Sequence, residues 1–84
     1  MIHIDLELFG NNKVVDIYLD ENNTVDDLLI RLEETLGIKN DATVIFSKRR
    51  ECALTRNITL AMQGIRGGDT LILIEAGGGK GNET

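Results

Sequence analysis

The residues of this chain with the clearest chemical use are three consecutive glycines, Gly77, Gly78 and Gly79. They follow a run of largely apolar residues, 70–75, that predicts a buried β-strand, and a polar segment, residues 80–84, comes after them. Glycine loses more conformational freedom on ordering than any other residue and has no side chain to bury, so the run does not serve packing. A glycine tail can thread a narrow enzyme cleft, and a terminal glycine carboxylate is unhindered. The alternative is that the glycine run has no chemical function and is a flexible C-terminus or linker.

Length and composition limit what the rest of the chain can be. Eighty-four residues form one small domain. The net charge of −5 argues against nucleic-acid binding, which needs a basic surface. No apolar run approaches the roughly 20 residues of a membrane span, and the acidic, alternating N-terminus is unlike a signal peptide. A single cysteine needs no oxidising compartment, so the predicted location is cytoplasmic.

Residues that could support catalysis or metal binding are isolated in the sequence. His3 is the only histidine, and no second ligand at metal-binding spacing accompanies it. Cys52 has no base near it in the sequence, which favours a buried structural thiol. Asp26 and Asp27 mark the start of a helix rather than an acid–base pair. We therefore predict a protein that is not an enzyme, with no catalytic residue, no metal site and no cofactor.

The elements predicted before the glycine run are, in chain order, strand, strand, helix, strand, short strand, turn and strand. Period-two alternation predicts strands at residues 2–9 and 15–19, and β-branched residues predict one at residues 43–47. A short strand is expected at residues 51–54, and a continuous apolar run predicts the last strand at residues 70–75. The last strand is the most continuously apolar, so we expect it at the centre of the sheet. One helix among several strands predicts an α+β domain in which a mixed sheet of four to five strands packs on an amphipathic helix.

The helix has clear start and stop signals. Thr24 and Asp27 resemble a capping box, and Gly37 is placed to end the helix. The residues at helical spacing between them form one apolar stripe: Val25, Leu28, Leu29, Leu32 and Leu36.

Alternation along the strands also predicts an exposed apolar patch. In the last strand Leu71 and Leu73 are expected in the core, which turns Ile72 and Ile74 to the open face of the sheet. Ile45 is expected to face outward between Val44 and Phe46. Exposed apolar patches mark partner sites, although a loop or a second copy could cover this one.

Basic residues cluster in the second half of the chain. They are Lys48, Arg49, Arg50, Arg56 and Arg66. Arg49 and Arg66 could rim the patch and attract an acidic enzyme surface, or the cluster could be a solvated loop.

The order and spacing of these segments resemble those of ubiquitin-like β-grasp proteins over residues 2–79. The shared segments are Val15-Asp16-Ile17-Tyr18-Leu19, the helix closed by Gly37-Ile38, Val44-Ile45-Phe46, the turn Thr59-Leu60-Ala61-Met62-Gln63-Gly64-Ile65, and Thr70-Leu71-Ile72-Leu73-Ile74. The chain departs from ubiquitin in a longer segment between Phe46 and Thr59 and in a shorter arm without arginines before the glycines. The segment that leads into the last strand, with Gly64, Gly68 and Asp69, looks more like that of bacterial ubiquitin-like proteins. These include YukD-type secretion proteins and modifiers encoded beside their own enzymes.

This resemblance implies a β-grasp domain at residues 1–76 and a flexible tail at residues 77–84 that is processed after the diglycine. In the family a JAB-type or other peptidase removes the residues after the diglycine. An ATP-dependent activating enzyme then adenylates the glycine carboxylate, and a conjugating enzyme passes the acyl group to an amine or a hydroxyl of a target protein. Attachment to a side-chain amine forms an isopeptide bond. Cleavage after Gly79 is favoured because it leaves the longer arm, and cleavage after Gly78 stays open.

Two other functions stay open. One is a non-conjugated YukD-type scaffold of a type VII secretion system, although such proteins generally lack a diglycine. The other is a sulfur carrier, although those usually end at the diglycine and this chain continues to Thr84.

Overall fold

The computed structural model describes residues 1–10, 13–38 and 43–75. Six elements follow one another, namely β1 (Ile2–Leu8), β2 (Lys13–Leu19), α1 (Val25–Leu36), β3 (Thr43–Ser47), β4 (Cys52–Ala53) and β5 (Thr70–Glu75). The five strands form one sheet in the order β2-β1-β5-β3-β4. β1 runs parallel to β5, and the other neighbouring strands are antiparallel, so the sheet is mixed. The prediction that the last strand is central is confirmed.

The inner face of the sheet carries the core together with α1. Alternate residues of β1 and β5 point inward, and Ile4, Leu6 and Leu71 are fully buried. They join the buried stripe of α1, which consists of Val25, Leu28, Leu29 and Leu32. Leu36, predicted as part of this stripe, is 40% exposed because it lies in the last turn of the helix. One face of the sheet is thus used for packing against α1, and the alternate residues of the strands lie on the other face.

The start of α1 confirms the predicted capping box. The Thr24 hydroxyl accepts a hydrogen bond from the Asp27 N–H (3.2 Å), and the Asp27 carboxylate accepts one from the Thr24 N–H (3.0 Å). Asp26 and Asp27 place negative charge beside the positive end of the helix dipole. At the other end Gly37 has φ of 73°, a conformation that glycine adopts without strain, and its N–H bonds to the Glu33 carbonyl (3.0 Å).

Thr24→Ala is expected to lower stability by about 1 kcal/mol, because the substitution leaves the Asp27 N–H without its capping acceptor. For a domain of this size that corresponds to a fall of about 4–8 °C in the thermal midpoint. Thr35→Ala, at an exposed position inside the same helix, is the matched control. Equal effects at the two positions would contradict a special role for the cap.

In the part of the chain that the structure describes, no helix has the length and apolar character needed to cross a membrane.

Candidate interaction face of the sheet

The central strand β5 presents two residues to the outer face of the sheet, which α1 does not cover. Leu71 and Leu73 are buried on the inner face, and Ile72 and Ile74 are half-buried on the outer face. The alternation predicted for this strand is confirmed. The outer face therefore has apolar side chains at its centre.

The predicted orientation of β3 is wrong. Ile45 is only 1% exposed, whereas Val44 is 41% exposed and Phe46 is half-buried. The cause is the β3–β5 register, which places Ile45 opposite the inward-facing Leu73. Residues directly opposite each other in a ladder share one face of the sheet, so Ile45 must join the core.

The same register brings four apolar residues together on the outer face. Val44 lies opposite Ile74, and Phe46 lies opposite Ile72. We call these four residues the apolar patch. Of the predicted patch, Ile72 and Ile74 are retained, and Val44 and Phe46 take the place of Ile45.

A shallow groove of about 620 Å³ extends this surface toward the β1–β2 turn. Its walls include Phe9 (73% exposed), Val14 (56% exposed) and Ile72 of the apolar patch. Neither Phe9 nor Val14 was predicted as part of a binding surface. Their positions beside the turn between β1 and β2 were the only indication in the sequence, because Phe9 directly follows β1 and Val14 is the second residue of β2.

Arg49 forms an ion pair with Asp69 at the end of the sheet where β3 ends and β5 begins. Its Nε and Nη2 donate to the two carboxylate oxygens of Asp69 (2.9 and 3.0 Å), and its Nη2 also donates to the Gly64 carbonyl. The Asp69 carboxylate further accepts the backbone N–H of Arg66 (2.9 Å). The bond from Arg49 holds the pKa of Asp69 below its usual range, assisted by the Arg66 N–H, although burial acts in the opposite direction. Both arginines assigned to the binding surface have exposed side chains, but that of Arg49 is engaged in the ion pair with Asp69.

Asp69→Asn is expected to cost about 2 kcal/mol at neutral pH, because charge-assisted hydrogen bonds at a buried acceptor are lost. The thermal midpoint should fall by about 8–16 °C. Because the folded-state pKa of Asp69 is lowered, its contribution is present above the unfolded value of about 3.9 and is lost as pH falls through the folded value. Acidification below about pH 4 should therefore destabilise the wild type more steeply than the variant. Glu34→Gln, at an exposed helix position, is the control; an equal loss there would contradict this role.

On the other half of the outer face, β1 and β2 bring three titratable side chains together. Potential ligand atoms of His3, Asp5 and Asp16 all lie within 4.8 Å of one another. This group is not predicted from the sequence, because Asp16 joins it only through the β1–β2 pairing, which sets Asp16 opposite Asp5. Ligand atoms of a tetrahedral zinc ion with bonds of about 2.0–2.2 Å lie closer together than this, so the side chains would have to move inward to hold one.

The hydrogen-bond pattern of the sheet brings Asp5 and Asp16 together. The backbone N–H of Asp5 donates to the Asp69 backbone carbonyl (3.1 Å) and the His3 carbonyl accepts from the Gly68 N–H (2.7 Å), so both residues direct their backbone polar groups toward β5. Asp5 and Asp16 therefore form a non-hydrogen-bonded pair, the type in which opposite side chains approach most closely. The hydrogen-bonding contact with Asp16 raises the pKa of Asp5, with a smaller contribution from burial.

The predictions for Cys52 and for the glycine run have different outcomes. Cys52 is exposed in β4, so the expectation of a buried thiol is wrong, because so short an edge strand does not cover its side chains. Gly77, Gly78 and Gly79, and the predicted boundary between residues 1–76 and 77–84, lie outside the described residues and stay predictions.

Comparison with solved structures identifies the fold. The Dsk2 ubiquitin-like domain of Plasmodium falciparum is 24% identical, with a TM-score of 0.78 over 89% of this chain and 97% of that chain. An N-terminal ubiquitin-like domain solved in solution is 19% identical, with a TM-score of 0.76 over 88% of this chain and 73% of that one. ATBAG1, crystallised in complex with HSP70, is 17% identical, with a TM-score of 0.78 over 90% of this chain and 41% of that one.

The sequence matches no protein-family profile and no curated protein. With its mixed five-stranded sheet and single helix, the domain is an α+β β-grasp fold of the ubiquitin-like type.

Proposed function

We propose that this protein is a ubiquitin-like modifier that is joined to other proteins through Gly78 or Gly79. One observation carries the proposal: the glycine run begins two residues after Glu75, the last residue of the central strand β5. A carboxylate at its end would sit on a short arm attached to the middle of a ubiquitin-like sheet. Residues 77–84 would then be the processed tail of a domain formed by residues 1–76.

The chemistry requires enzymes other than this chain. A peptidase, of the JAB type or another, would hydrolyse the peptide bond after the diglycine. An activating enzyme would join the freed carboxylate to the AMP part of ATP and release pyrophosphate. A cysteine thiolate of an activating or conjugating enzyme would displace AMP, and a target amine would displace the thiolate and form an isopeptide bond. The contribution of this chain is an unhindered acyl group and a surface that those enzymes bind.

The apolar patch is the surface we assign to such contacts. Val44, Phe46, Ile72 and Ile74 lie together on the face opposite α1, and partly exposed apolar clusters of this kind mark protein-binding sites. Arg66 has an exposed side chain in the turn before β5, and Arg49 would contribute through the position of that turn, which Asp69 holds. Ile72→Asp should weaken binding to a cognate activating enzyme and leave the fold intact.

The test is the intact mass of the protein recovered from its native cells. A species that ends at Gly78 or Gly79, or one whose mass is increased by a covalently attached protein, is the expected result. If only chains that still carry Thr84 are found while the candidate enzymes are expressed, the proposal is wrong.

The second candidate is a non-conjugated scaffold or adaptor domain, such as a YukD-type component of a secretion system. It is favoured by the structural neighbours, since one is the N-terminal domain of its protein and this chain covers only 41% of the chain crystallised with HSP70. Removal of residues 77–84 separates the two functions. A scaffold keeps its partner binding after the removal, whereas a modifier or a sulfur carrier loses its activity.

A further inference from the structure

The outer face of the sheet can be divided into two halves, of which the one on β1 and β2 carries a pair of carboxylates as well as the exposed Val14. The apolar patch, Val44, Phe46, Ile72 and Ile74, lies on β3 and β5. Asp5 and Asp16, which we call the acidic pair, lie on β1 and β2. Asp5 is opposite Thr70 of β5, next to the row in which Glu7 is opposite Ile72, so the two halves are contiguous.

The acidic pair lacks a strong neutralising contact among the described residues. Like charges directly opposite each other in a sheet destabilise it. The nearest basic group described is the His3 imidazole, whose Nε2 is 3.8 Å from the Asp16 carboxylate. The same imidazole ring contacts the Tyr18 ring, with 4.9 Å between the two ring centroids. Lys48, the basic residue at the adjoining corner, has its Nζ 3.5 Å from Glu7. A cationic group from outside would therefore find two carboxylates facing each other.

The geometry restricts the kind of partner that can reach both halves. β1 and β5 have a hydrogen-bonded strand on each side, and β2 is an edge of the sheet. A strand added at β2 would lie beside Asp16 and far from β3 and β5, so a partner that contacts the acidic pair and the apolar patch together must lie across the face. From β3 to β2 there are three strand spacings of about 4.8 Å, or roughly 14 Å. A helix of about ten residues spans this distance, since each residue adds 1.5 Å.

We propose that the acidic pair is a specificity site for a lysine or arginine side chain of a partner helix whose apolar side chains pack on the apolar patch. The partner is a basic amphipathic helix with its basic residues about two to three turns away from its apolar anchor. The proposal rests on the proposed function in one respect, namely that this face binds other proteins. It reverses the expectation that basic residues of this chain attract an acidic enzyme surface.

Two synthetic helical peptides of about 18 residues test the proposal on the full-length, isotope-labelled protein. Both carry the same leucine stripe, and one has lysines where the other has glutamates. In nuclear magnetic resonance titrations with a chelator present, the lysine peptide should shift amide signals of β1, β2, β3 and β5. It should bind at least about tenfold more tightly than the glutamate peptide, because like charges disfavour the latter.

Matched variants separate a specific site from the overall negative charge. The double variant Asp5→Asn and Asp16→Asn should lower the affinity for the lysine peptide about five- to tenfold and should not lower the affinity for the glutamate peptide. The double variant Glu33→Gln and Glu34→Gln removes the same charge from exposed positions on α1 and should leave the affinity for both peptides unchanged. Unchanged amide spectra outside the substituted positions show that the variants remain folded.

Three results would overturn the proposal. The first is equal binding of the two peptides, and the second is an equal loss in the two double variants. The third is saturable shifts of His3, Asp5 and Asp16 signals with zinc chloride alone at micromolar concentration, which would identify the group as a metal site. Covalent attachment is tested separately by the mass of the recovered protein, so the two proposals can fail independently.

Discussion

Replacing Ile45 by aspartate is expected to unfold the protein. The side chain is 1% exposed and lies opposite Leu73 on the inner face of the sheet. The change removes a buried apolar side chain, which costs about 2–5 kcal/mol, and places a carboxylate without a partner in the core, which costs several more. A domain of 84 residues is stable by only about 4–13 kcal/mol. Circular dichroism and an amide spectrum at 25 °C would show the loss of structure.

Val44→Asp is the matched control for this prediction. Val44 is the preceding residue of the same strand, is 41% exposed and points to the outer face. Its substitution should cost about 1 kcal/mol or less and leave the fold intact. The opposite pattern, with Ile45→Asp folded and Val44→Asp unfolded, would show that β3 is paired one residue out of register.

The largest functional effect is expected from two truncations in the glycine run. A chain that ends at Ala76 lacks all three glycines and should give no covalent attachment, because no unhindered glycine carboxylate remains for activation. A chain that ends at Gly79 lacks only residues 80–84 and should be attached without needing the peptidase. The readout is the appearance of higher-mass adducts when each chain is incubated with ATP and the cognate activating and conjugating enzymes.

This pair of truncations has its own internal control. Both chains keep β5 complete to Glu75, so both should unfold at the same temperature as the full-length protein. Adduct formation by the chain that ends at Ala76 would exclude the glycines as the site of attachment. Inactivity of the chain ending at Gly79, together with activity of one ending at Gly78, would assign Gly78 as the mature terminus.

The sequence by itself determined the elements, because their signals are local. The capping box of Thr24 and Asp27, the helix stop at Gly37 and the continuous apolar run of β5 each depend on neighbours within a few residues, and the structure confirms all three. The order of these elements was sufficient to indicate a ubiquitin-like β-grasp fold before any contact was known. The glycines at 77–79 are also a local signal, and their role stays a proposal.

The tertiary structure decided which face the residues of β3 use and which distant residues meet. Alternation along β3 shows that Ile45 differs from its neighbours, but only the pairing with Leu73 shows that Ile45 is the buried one. The partner of Arg49, Asp69, is 20 residues away, and Asp16 reaches Asp5 through the β1–β2 hairpin. Such contacts depend on register and chain closure, which period-two patterning does not contain. For that reason the apolar patch was predicted only in part, and the acidic pair beside it was not predicted at all.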